Sequence, residues 1–197
     1  PGQYRWDIID GLLDIAHERD QTLMLRISPY KGREVDDVPV WYRKMVGTKR
    51  DYSYGDRVLK WVVDPEDPRY AQYFGAMIRA LGARYDGHPD LESIDVSIVG
   101  FAGEGDGTSL LTTQTMQALL DPYIESFKKT PLVVLIHGKK SVEYITSRTT
   151  VGWRQDCLGD LGFPWTPIDF KPGWTHMHDY YPQTIIDYDM QDAWKKG

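Results

Sequence analysis

Glu104 stands among glycines at 100, 103, 105 and 107, directly after the run Ser93-Ile-Asp-Val-Ser-Ile-Val99. Glycines let backbone pass close to a ligand and leave the carboxylate unshielded by bulky neighbours. Held beside apolar walls, such a carboxyl group keeps its proton to higher pH, which suits donation to a leaving oxygen. Taken alone, the same residue also reads as a glutamate in a Gly-rich turn. Asp106, two residues on, is the rival proton donor, further into the loop. The glycines do not make a phosphate loop, because no Gly-Lys-Ser/Thr follows them and an acid sits among them.

Other polar residues stand at comparable junctions. Arg26 and Ser28 close the run Thr22–Ile27, His137 follows Pro131-Leu-Val-Val-Leu-Ile136, and Trp153, Arg154 and Asp156 close a weaker run at 151–154. His137 reads equally as a hydrogen-bond donor to a substrate hydroxyl, as a partner tuning a carboxylate, or as a structural histidine. Trp174-Thr-His-Met-His-Asp-Tyr-Tyr181 sets His176 and His178 beside Asp179, a spacing used in some metal sites. No other His-rich motif supports a metal there, and Cys157 is the single cysteine, so no metal and no cofactor is expected. An aromatic-and-histidine wall for a carbohydrate fits the same residues better.

These residues need elements to hold them. Apolar spacing predicts a helix from a cap at Asp7 to about Arg19, with Ile8, Ile9, Leu12, Leu13 and Ala16 as its buried stripe. Further helices are expected at about Arg69–Tyr85, from about Thr113, near Ser141–Arg148, and from about Pro182. Strands are expected at 22–27, 93–99, 131–136 and 151–154. Tyr30–Pro68 and Asp156–Tyr181 read as long loops, the first rich in aromatic residues. Strands alternating with helices predict an α/β fold with a parallel sheet, and in such folds functional groups gather where strands give way to loops. With no repeat or linker in view, residues 1–197 read as a single domain. The four strands are expected to lie parallel and adjacent in chain order, with Glu104, His137 and Arg154 facing one cavity and Trp153 or Trp174 on its wall.

The net charge of −6, without a block of lysine and arginine, argues against nucleic acid as the main partner. No apolar run approaches a membrane span, and no leader peptide is visible. Seven tryptophans and thirteen tyrosines are many for 197 residues. They serve either as core or as flat faces for sugar rings.

The order of the motifs resembles the clan-A glycoside hydrolases, retaining (β/α)8-barrel enzymes, and within them the family-42-like β-galactosidases and related barrel domains. Pro1-Gly-Gln-Tyr-Arg-Trp-Asp7-Ile-Ile-Asp10 is similar to the phrase after the second strand of such barrels, and Leu23-Met-Leu-Arg-Ile-Ser-Pro29 to their third strand. Asp67-Pro-Arg-Tyr70 and Ala83-Arg-Tyr-Asp86-Gly-His-Pro89 are similar to the helix before the fourth strand. Ile94-Asp-Val-Ser-Ile-Val-Gly-Phe-Ala-Gly-Glu104 is similar to the fourth strand itself, and Asp192-Ala-Trp-Lys-Lys-Gly197 to the run before the seventh. The resemblance implies a partial (β/α)8 TIM barrel, about its third to sixth strands, acting on a β-linked glycan, with Glu104 as general acid/base. Arg26, Asp106, His137, Trp153, Arg154, Asp156, Trp174, His176 and His178 are the candidate carbohydrate-binding residues. It also implies secretion or a periplasmic location, a nucleophile outside these 197 residues, and an inactive segment unless the rest of the barrel comes from a longer chain or another chain. Gly103 departs from the pattern, since many of these enzymes have Asn before the acid/base. A carbohydrate-binding barrel without catalysis is the alternative, and a metal-dependent hydrolase using His176, His178 and Asp156 or Asp179 is a third.

Overall fold

The computed structural model describes residues 2–28, 38–47, 52–54, 57–59, 63–100, 103, 105, 108–135 and 139–154, without the side chains of 52–54, 57–59 and 139. The helices are α1 (Trp6–Glu18), α2 (Val40–Val46), α3 (Pro68–Tyr85), α4 (Thr113–Ser126) and α5 (Lys139–Thr146). The strands are β1 (Leu23–Arg26), β2 (Tyr52–Tyr54), β3 (Arg57–Leu59), β4 (Leu91–Val96), β5 (Leu132–Leu135) and β6 (Gly152–Arg154). One sheet has the order β1-β4-β5-β6, all parallel. The four strands therefore lie side by side in chain order, as the sequence predicts, in an arrangement compatible with part of a (β/α)8 barrel. No described helix is long and apolar enough to cross a membrane.

Register fixes which residues share a face. Arg26 pairs with Asp95, Asp95 with Val133, and Val133 with Gly152, so these four and Arg154 point to one side. Leu25, Ile94 and Leu132 point to the other, where Ile94 and Leu132 are buried with Ile78, Leu81, Leu119 and Tyr123 of α3 and α4. The core thus lies between the sheet and its helices. Glycine sets how closely α3 and α4 approach: a methyl at Gly82 would come 2.6 Å from the Ser126 carbonyl oxygen, and one at Gly75 would come 2.9 Å from Pro122 Cγ.

Several expectations change. Asp7 is not the cap of α1; it lies in the first turn, paired with Arg5 at 2.7 Å. Of the predicted stripe, Ile9, Leu13 and Ala16 are buried, but Ile8 and Leu12 are exposed because α1 covers only the sheet edge. The stretch 30–68 is not one loop. It holds α2, ended by Gly47 at φ 65°, and the antiparallel pair β2–β3. Asp67 caps α3 by accepting from the Arg69 amide at 3.0 Å, one residue earlier than the apolar pattern implies. β4 runs Leu91–Val96 rather than 93–99, since Ser97 and Ile98 leave the ladder. The expected loop at 156–181 and helix from 182 lie outside the described residues.

Candidate functional site

Alternation in β4 puts Ser93 and Asp95 on the face away from the helices, where both are buried, although a parallel strand covered on both faces ordinarily carries apolar residues there. Asp95 is only 2 % exposed. Its Oδ2 accepts from Arg26 Nε at 2.6 Å. Arg154 Nε lies 2.7 Å from the same oxygen as an ion pair, out of line for a hydrogen bond. Three strands thus meet in one charged cluster, reaching across β5. Such a cluster holds together only because both cations face the one anion, as burying an uncompensated charge costs several kcal/mol.

The remaining polar atoms of this face are distinctive. Among the described residues, Asp95 Oδ1, Ser93 Oγ and Ser97 Oγ are buried without a hydrogen-bond partner. Each such group costs about 1–3 kcal/mol unless something pairs with it, so their retention along and just beyond β4 points to use rather than to packing.

The strand end leading to the Gly-rich segment is fixed from the helix side. Tyr70 of α3 donates to the Ile98 carbonyl at 2.6 Å, and Tyr123 of α4 donates to the Ser97 carbonyl at 2.8 Å. Burial pushes both hydroxyl groups away from bulk water, and for Tyr123 it holds the phenol well above its ordinary range, so it stays a donor. Beyond this point Gly100, Gly103 and Gly105 adopt φ of 100°, 77° and 80°, values that side chains rarely adopt. The Gly103 amide donates to the Gly100 carbonyl at 3.2 Å, and the Gly105 amide to the Val99 carbonyl at 3.2 Å. A methyl at Gly103 would come 2.6 Å from Ser97 Oγ and 2.9 Å from Arg26 Cδ. A larger residue at this position therefore cannot be accommodated unless Ser97 and Arg26 move. Gly103, the residue before Glu104, packs directly on the Arg26–Asp95 cluster.

Among the sequence candidates, the structure brings Arg26 and Arg154 together on Asp95. Trp153 is not with them: consecutive strand residues face opposite ways, and Trp153 pairs with Val134 on the helix side, 40 % exposed. Glu104, Asp106, His137, Asp156, Trp174, His176 and His178 lie outside the described residues. Among the described residues no group of three His, Cys, Asp or Glu is placed to hold a metal. Asp95 and Ser97 were not singled out by sequence, although their signal is present: polar residues at alternate positions of an otherwise apolar strand.

Family models, characterised proteins and solved structures were all compared with the chain, and none matches.

Proposed function

We propose that the chain is part of a (β/α)8-barrel glycoside hydrolase of retaining type, acting on a β-linked glycan, with Glu104 as general acid/base. The observation that carries this reading is the contact of Gly103 with Ser97 and Arg26, beside the cluster in which β1, β4 and β6 meet on Asp95. It sets the residue before Glu104 at the polar ends of parallel strands, where barrel enzymes keep their catalytic groups. Glu104 would protonate the leaving oxygen and then activate water, and Arg26 and Arg154 would keep the surrounding field positive. The second carboxylate, roughly 5–5.5 Å from the first in such enzymes, would come from sequence beyond these residues. His137, Asp156, Trp174, His176 and His178 would line the sugar site. Export from the cytoplasm goes with this reading.

Leaving-group dependence tests it. An aryl glycoside with a good leaving group needs little protonation, so in the complete enzyme Glu104→Gln should spare its first step. Substrates with poor leaving groups should lose about 10²- to 10⁴-fold. Equal losses on both substrate types would mean that Glu104 is not the proton donor.

A further inference from the structure

Behind the end of β1 lies a cavity of about 260 Å³, walled by Tyr4, Trp41, Tyr42, Tyr73, Phe74 and Met77. It is smaller than the roughly 300–1,000 Å³ of sites for drug-sized molecules, so it has room for about one ring. Its rings meet edge to face: Trp41 stands 5.1 Å from Tyr73 at 72°, and 5.8 Å from Tyr42 at 84°. This arrangement presents both ring faces and ring edges to an occupant. Among the described residues no charged side chain lines the cavity. A phenol is already neutral at physiological pH, and burial pushes that of Tyr42 further up, to about 12.

Position ties the cavity to the candidate site. Ile27 and Ser28, which continue β1 from Arg26, form part of its wall. So does Tyr70, which donates to Ile98 just beyond β4. The cavity therefore lies at the same end of the sheet as the Asp95 cluster, on the helix side of β1.

We propose that this cavity binds a single neutral aromatic ring and that, in a glycoside substrate, it takes the aglycone. The second half rests on the glycosidase reading; the first does not. A sugar ring fits the wall less well, because most of its hydroxyls would face aromatic rings and could reach only Gln3, Ser28 and the rims of the tyrosines, whereas an aryl group needs no such partner.

The test is ligand-observed NMR on the 197-residue chain with phenol, indole and methyl β-D-glucopyranoside as probes. Phenol and indole should bind and the glucoside should not. Trp41→Ala, which removes a ring already 38 % exposed and leaves the core intact, should weaken phenol about tenfold. Tyr73→Leu, which removes the ring that Trp41 packs against, should do the same, with circular dichroism confirming that both variants fold. Binding of the glucoside without phenol, or phenol binding unchanged in both variants, would overturn the site. Phenol binding that both variants weaken, in a complete enzyme that cleaves no aryl glycoside, would leave the aromatic site standing and overturn only the aglycone assignment.

Discussion

Asp95 holds two guanidinium groups on one oxygen, and its removal would leave both cations facing each other in a dry place. Asp95→Asn keeps the shape and deletes the charge, so it isolates that electrostatic role. We expect a loss of about 3 kcal/mol in urea unfolding, near the lower end for a broken buried pair, because the Arg26 side chain is still 28 % exposed. A loss under about 1 kcal/mol, the level of exposed pairs, would show the cluster to be solvated. The pattern of β4 announces this residue only faintly: an aspartate within a run of isoleucine and valine is visible, but which arginines it meets is not. Arg26 and Arg154 stand at strand ends in the sequence, so their presence on one face was legible. The carboxylate that gathers them depends on register between strands 69 residues apart in the chain, which no local pattern encodes.

Helix and strand positions were legible wherever apolar spacing was long and regular, as in α3 and α4. Where a helix is short and its neighbours aromatic, as in α2, periodicity carries too few turns to stand out. The hairpin β2–β3 had a signal in the Gly55-Asp56 pair between two β-prone runs, hidden within a stretch read by its polarity. Packing between α3 and α4 was not legible, since a glycine in a helix reads as a weak point rather than as a contact. Gly82→Ala tests that contact directly. Although alanine favours helix, the added methyl meets the Ser126 backbone, and we expect a net destabilisation of about 1–3 kcal/mol by thermal unfolding. A gain in stability would mean that the helices can separate without loss.

The joint between α3 and β5 titrates. Asp86 Oδ1 accepts from the Lys129 and Thr130 amides, both at 2.9 Å. Burial pushes its carboxyl up, but the amides of Thr130, Lys129 and Lys128 together outweigh this and hold it below the ordinary range. A depressed carboxyl group contributes stability that is complete above its unfolded value of about 3.9 and is lost as pH falls through the folded value. Asp86→Ala should therefore cost about 1–2 kcal/mol near neutrality. The gap between it and the wild type should close on titration toward about pH 2; a gap independent of pH would assign the effect to helix geometry instead.

Across the whole sheet, the order β1-β4-β5-β6 makes every lateral neighbour the next main strand in sequence. The chain lengths between them are unequal, however. The partners Leu135 and Arg154 are separated by about 20 residues, whereas Arg26 and Asp95 are separated by 69. Loop-closure entropy grows with the logarithm of that length, so joining β1 costs about 1 kcal/mol more than joining β6. Among these four strands, assembly should therefore begin with the carboxyl-terminal ones and capture β1 last. In pulsed hydrogen exchange during refolding, the amides of β4 and β5 should gain protection before those of β1, and the reverse order would contradict this. The Arg26–Asp95 contact, which spans more of the chain than the Arg154–Asp95 one, would then form only as β1 arrives, so the charged cluster doubles as the latch that fastens this strand to the other three.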